Sequence, residues 1–245
     1  MSNIDSAVEA VRRIVDLAHE SNIMLASLGF RRRISAIDIG GGMQPEPIEA
    51  ISVDKSNMTR YANELRRFCP ELWSDFELIT EFGAWTNFHT GYAYSDVEYA
   101  FPRGDNHVAF VHLGGDMLMR DVYIKPRGMS FVTIDKMGKP LCKESRPLVA
   151  TDLAGPLCFA GDYIGKGVQL PKLQEGDGLL MLNNGSNSYG LWSRHCSRSI
   201  PKVLSVDFSN REISEVSSRS NPFVKLPSEE EQSEQEWITR TDACL

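Results

Sequence analysis

The chain lacks the markers of several common protein classes. It has no CxxC pair, and its five cysteines (Cys69, Cys142, Cys158, Cys196, Cys244) are odd in number, which argues against a disulfide framework and against a zinc site. No apolar run approaches the ~20 residues that span a bilayer, and the first residues show no basic-then-apolar leader pattern. Positive charge is scarce: the formal net charge is −7 and the isoelectric point about 5.3. Neutralising nucleic-acid or lipid phosphates takes clustered Lys and Arg, so neither a nucleic-acid nor a membrane partner is expected, and Arg31-Arg32-Arg33 is too short to reverse that. No internal repeat is visible. The spaced glycines of dinucleotide folds and the P-loop signature are both missing. His89, His107, His112 and His195 show no metal-site spacing and no recognisable triad partner, so each is expected to be structural.

What the sequence does contain is ordinary globular material: 42% of its 245 residues are hydrophobic, enough to build a core. Val8, Val11, Ile14, Val15, Leu17 and Ala18 recur at helical spacing, which predicts a helix from Asp5 to Leu28 with Asp5 as N-cap and Gly29 closing it. Ile34–Ile39 reads as a short buried strand running into Gly40-Gly41-Gly42, Met58–Phe68 as an amphipathic helix, and Glu77–Glu81 as another short strand. Two helix-strand units of this kind belong to a parallel sheet or barrel, but cannot close one. From Tyr92 the pattern changes to short alternating apolar runs, including Val108–Leu113, Met129–Ile134, Gly178–Leu182 and Lys202–Phe208, set between turn residues. The reading is a partial β/α segment over 1–91, an antiparallel β-domain over 92–212 and a mostly disordered acidic tail over 213–245. Trp192, Tyr92, Tyr94 and Tyr99 sit in strand-like sequence and are expected in a packed core or an interface.

Three consecutive glycines after a strand let the backbone turn sharply and aim several N–H groups at one point, which is one way to cradle a phosphate; the alternative is a plain strand-to-helix turn. Asp38-Ile-Gly-Gly-Gly42 resembles the glycine loop of the pyridoxal-phosphate-dependent ornithine/diaminopimelate/arginine decarboxylases. In the same order as in that family follow Gly155-Pro-Leu-Cys158-Phe-Ala-Gly-Asp162, Leu170-Pro171, Gly176-Asp177, Asn184-Gly185 and Trp192-Ser-Arg-His-Cys-Ser-Arg198. Glu81-Phe82-Gly83-Ala84 is similar to the family's Glu-Pro-Gly-Arg.

The resemblance implies fold type III: the last units of a (β/α)8 cofactor-binding barrel, then an antiparallel β-barrel-like domain that completes a partner's active site in a head-to-tail dimer. It implies pyridoxal phosphate as cofactor, with Gly40, Gly41 and Gly42 at the phosphate, Glu81 and Gly83 at the pyridine ring and Asn187 where the family has a phosphate-touching tyrosine. Cys158 would protonate product in the neighbouring active site, against a bland reading as core filler, and Asp162 would face a substrate amine or the dimer contact. Ala84 replaces the phosphate-binding arginine, and Phe159 stands where family members often carry an acid. The chain opens with the helix before the glycine loop, so the earlier barrel strands, with the lysine that links to the cofactor, are expected to be missing. No local pattern marks Lys55 or Lys125 as a substitute. The expectation is a cytoplasmic, truncated decarboxylase, inactive alone, forming a homodimer or a heterodimer with a full-length decarboxylase. The alternatives are a non-catalytic homologue that dimerises with or regulates a complete enzyme, and a β-domain binding something unrelated.

Overall fold

A computed structural model describes residues 3–43, 45–46, 56–124 and 129–219. It divides into two compact units, one up to Ser193 and one from Arg194. Lys55, Lys125 and the acidic run from Ser228 lie outside the described residues. Among the described residues no helix is long and apolar enough to cross a membrane.

The first helix, α1 (Ile4–Ser27), is capped by Asn3 rather than Asp5: the Asn3 side chain accepts from the N–H groups of Asp5 (2.9 Å) and Ser6 (3.4 Å). Asp5 falls in the first turn, where its charge suits the helix dipole but its side chain no longer caps. Gly29 ends the helix at φ +79°, a backbone region that costs a side chain strain. Ile4, Val8, Val11, Val15 and Ala18 form the buried stripe. They meet Tyr61 and Leu65 of α2 (Asn57–Phe68), Leu72 of α3 (Glu71–Ser74), and Ile37 of β1 (Ala36–Asp38). Strand β1 pairs in parallel with β2 (Glu77–Ile79). The short helix α4 (Gly83–Asn87) then leads to the sheet.

Six strands form that sheet: β3 (Ala93–Arg103), β4 (Asn106–Val111), β5 (Phe131–Ile134), β6 (Leu148–Ala154), β7 (Tyr163–Pro171) and β8 (Gly178–Met181). Their order is β5-β8-β3-β4-β6-β7. The sheet is mixed, not antiparallel throughout as the sequence suggested, because β4 and β6 run parallel. The chain between them, 112–147, is long enough to make the crossover that parallel neighbours require. A bulge between Val97 and Tyr99 shifts the register of β3 against β4. It also breaks the alternation: Ser95 and Val97 are buried, whereas Tyr99 and Phe101 are exposed. Tyr92, Tyr94 and Tyr99 are each about half exposed, so none is core. The core is aliphatic, with Val97, Ala109, Leu153, Leu179 and Met181 at 1% exposure or less.

Asp177, next to the positive-φ Gly176, is 2% exposed and structural: it accepts from Arg146 Nη2 at 3.2 Å, from Arg146 Nη1, and from the Gln174 N–H at 2.7 Å. Beyond residue 193, β9 (Val203–Asp207) and β10 (Glu212–Ser217) form an antiparallel hairpin, so extended structure continues past 212, where the sequence placed the start of the tail. Asp207 anchors the turn by accepting the N–H groups of Ser209 and Asn210, which hold its carboxyl below the usual carboxylate range.

Candidate functional site

The C-terminal ends of β1 and β2 lie side by side, which brings the glycine loop and Glu81 together. Ile39 N–H donates to Ile79 C=O (3.1 Å) and Glu81 N–H to Gly40 C=O (2.9 Å). Gly40 and Gly42 adopt φ +67° and +85°, and Gly40 N–H is held by Asp38 Oδ1 at 2.8 Å. Gly41 is required for a different reason: a Cβ there would lie 2.1 Å from the Glu81 carbonyl oxygen. The loop and the Glu81 backbone therefore occupy one another's side-chain space. The Glu81 side chain is exposed and has no hydrogen-bond or ion-pair partner among the described residues. Gly83 opens α4, Ala84 follows it, and Phe82 turns inward to pack edge-on to Tyr61 at 6.2 Å.

His89 binds this end of the molecule to the sheet: its Nε2 meets the Glu46 C=O at 2.6 Å and its Nδ1 the Asn183 Oδ1 at 2.7 Å. The structural role expected of it is thus filled by a bridge between the segment after the glycine loop and the segment after β8. Glu46 in turn accepts from the Asn57 N–H at 3.0 Å. No local sequence signal marks Glu46 or Asn183, because their partner lies 43 and 94 residues away. Gly185 is wedged against the same turn, since its N–H donates to Phe88 C=O (3.1 Å) and a Cβ would sit 1.8 Å from Asn87 O. Asn187 follows, exposed and at φ +50°. Gly40–Gly42, Glu81 and the Gly185–Asn187 turn are thereby linked through residues 46 and 87–91.

The second group of residues surrounds Cys158, which is exposed. It sits in the turn between β6 and β7, and the buried Asp162 shapes that turn. Asp162, at 3% exposure, accepts from Gly115 N–H through Oδ1 and from Leu157 N–H through Oδ2, both at 2.7 Å, and its C=O accepts from Gly155 N–H at 2.7 Å. Both carboxylate oxygens are therefore engaged with backbone, so Asp162 fixes the Cys158 turn and joins it to the segment after β4. Gly155 and Gly114 are needed beside it, because a Cβ would come within 2.2 and 2.8 Å of its carboxylate. Sequence reasoning missed the other side of this turn, where Tyr123 stacks on Phe159 with centroids 5.2 Å apart and planes 14° apart.

A parallel strand pair ending in a run of glycines is thus followed by a mixed six-stranded sheet that presents a cysteine turn. The family described as pyridoxal-dependent decarboxylase, C-terminal sheet domain, matches residues 48–185, more than half of the chain, and the protein belongs to that family. The diaminopimelate decarboxylase of Aquifex aeolicus is 24% identical over 226 residues, which cover 90% of this chain and 48% of that protein. That of Escherichia coli K12 is 29% identical over 205 residues, covering 78% and 48% respectively. The crystal structure of diaminopimelate decarboxylase from Helicobacter pylori complexed with L-lysine superposes with a TM-score of 0.68 at 19% identity, covering 96% of this chain and 51% of that one. The chain thus spans about half the length of the relatives it matches.

Proposed function

We propose that this chain is the C-terminal half of a pyridoxal-phosphate-dependent amino-acid decarboxylase, holding the phosphate at Gly40–Gly42 and the pyridine nitrogen at Glu81. The observation that carries this is the interlock of Gly41 with the Glu81 carbonyl, which sets a glycine loop and a carboxylate without a partner among the described residues at neighbouring strand ends. These residues fit the cofactor in kind, a glycine turn that lets the backbone approach a phosphate and a carboxylate for a protonated ring nitrogen, although the Gly40 N–H is already taken by Asp38 Oδ1. The fit is incomplete, since Ala84 removes one charge-assisted phosphate contact of about 1.5–3 kcal/mol.

When bound, pyridoxal phosphate supplies an electron sink for the bond to the departing carboxylate. Glu81 would hold the ring nitrogen in its protonated form. Asn187 would offer an uncharged donor where the family has a tyrosine. The Cys158 Sγ–H, on the turn that Asp162 fixes, would give a proton to product carbon in a neighbouring copy's site.

The test is a pyridoxal-phosphate titration of the purified chain, followed by borohydride reduction, peptide mapping and assay of carbon dioxide release from ornithine, lysine, arginine and diaminopimelate. Weak binding competed by inorganic phosphate is expected, with neither a reduced lysine adduct nor carbon dioxide. A stoichiometric adduct on one of this chain's lysines together with turnover would overturn the half-site reading. Absence of any binding would overturn the cofactor assignment.

Assembly follows from the surface of the same units. Outside its buried stripe α1 exposes Leu17, Ile23, Met24 and Leu28 at 62–71%, and Phe30 beyond it at 60%. Isolated parallel pairs such as β1–β2 are uncommon, because parallel strands usually lie inside sheets covered on both faces. We expect this face to be covered in a homodimer or a complex with a full-length decarboxylase. Sedimentation of the wild-type chain and of the Leu17→Lys/Met24→Lys variant checks this: association should weaken in the variant, and a stable wild-type monomer across micromolar concentrations would count against it.

A further inference from the structure

The loop between α1 and β1 is anchored at both ends. Gly29 turns the chain at positive φ, and the Phe30 N–H donates to the Leu25 C=O at 2.9 Å. Asn22 then holds Ile34 twice, its Nδ2 donating to the Ile34 C=O at 2.9 Å and its Oδ1 accepting the Ile34 N–H at 2.7 Å. Between these anchors stand Arg31, Arg32 and Arg33, all exposed, whose side chains have no hydrogen-bond or ion-pair partner among the described residues. A loop pinned in this way keeps three like charges together that would otherwise spread apart.

The loop lies where β1 and β2 begin, since the Ser35 C=O accepts from the Glu77 N–H at 2.8 Å, whereas the glycine loop lies where the two strands end. Its arginines are therefore separate from the candidate cofactor site. They continue the outward face of α1 instead: Met24, Leu28 and Phe30 lead into them at 63%, 65% and 60% exposure. The same chain carries a run of opposite sign, Glu229-Glu230-Glu231, followed by Glu234, Glu236, Trp237 and Ile238.

We propose that Arg31–Arg33 dock the acidic run Glu229–Glu231 of a second copy of this chain. Three carboxylates answer three guanidiniums, whose planar forks pair with carboxylates through two hydrogen bonds each. Trp237 and Ile238 supply apolar surface to set against Leu28 and Phe30. A second copy is the occupant because Leu28 and Phe30 belong to the face that association is expected to cover, and because each copy carries both runs, so that a symmetric pair makes the contact twice. The contact depends on no part of the cofactor site.

The experiment is sedimentation equilibrium of the full chain with two charge reversals, Arg31→Glu/Arg32→Glu/Arg33→Glu and Glu229→Lys/Glu230→Lys/Glu231→Lys, run singly and as an equimolar mixture. Each reversed chain alone should associate at least about tenfold more weakly than wild type. The mixture should regain wild-type association, because each chain then finds its opposite charge only in the other. Circular dichroism checks that the reversed chains keep the wild-type fold, and salt gives a reading without any variant: raising sodium chloride from about 0.05 to about 0.5 M should weaken wild-type association by about tenfold. Weakening in both single variants without recovery on mixing would place the contact within one chain and overturn the second copy as occupant. Weakening by the arginine reversal alone would point to a different acidic partner and overturn the glutamate run. A monomeric wild type, or association indifferent to both reversals, would overturn the proposal outright. Pyridoxal-phosphate affinity measured on the same chains should be unchanged, so a failed contact and a failed cofactor assignment are read apart.

Discussion

Replacing Asp162 by alanine is expected to destabilise the sheet-containing unit by about 3–6 kcal/mol, the sum of two charge-assisted hydrogen bonds at ~1.5–3 kcal/mol each. Its two oxygens satisfy the Gly115 and Leu157 N–H groups at 2.7 Å, in a position only 3% exposed, so no water replaces the lost acceptors. Asp162→Asn should be almost as damaging, because an amide can offer oxygen to one of the two N–H groups but turns its own NH2 towards the other. Urea unfolding gives the magnitude, and hydrogen exchange at the Gly115 and Leu157 amides shows whether the loss is local to the turn. A change below about 1 kcal/mol, the scale of an exposed hydrogen bond, would mean that the carboxylate does not hold these two segments together.

Gly41→Val is expected to open the end of the β1–β2 pair that is proposed to hold the cofactor. The obstacle is the Glu81 carbonyl, 2.1 Å from the new Cβ, and a backbone atom cannot swing aside as a flexible side chain does. The stability cost should reach about 3 kcal/mol, the upper part of the range for overpacking. Pyridoxal-phosphate affinity should fall by at least about tenfold, since the loop and Glu81 are displaced together. Gly29→Ala provides the control: its φ of +79° imposes a backbone cost of roughly 1 kcal/mol, yet nothing lies within 4 Å of the added Cβ, so binding should be unchanged. Equal affinity in the Gly41→Val protein and the wild type would remove the interlock as the basis of the cofactor site.

Phe159 directly follows Cys158, and the structure gives its ring a partner, Tyr123, from a segment 36 residues earlier.

By itself the sequence determined the units: helical spacing set α1 and most of its buried stripe, though Ile14 and Leu17 of the periodic positions point outward, the glycine run set the turn after β1, and short apolar runs set the strand-rich half. These signals are local, because side-chain periodicity and backbone freedom act within a few residues. The ordered motifs from Asp38 to Arg198 were enough to point to the family. The helix cap went to Asn3 because the side chain that reaches the first free N–H groups wins, a matter of one or two residues that periodicity does not resolve. Tertiary structure alone decided the parallel β4–β6 pairing, the bulge that turned Tyr99 and Phe101 outward, the His89 bridge and the burial of Asp162 under two backbone N–H groups. The strand pairing, the His89 bridge and the Asp162–Gly115 contact join residues 43 to 94 positions apart, and what fixes them is the space and the unsatisfied polar groups that the packed chain leaves, which no window of sequence contains.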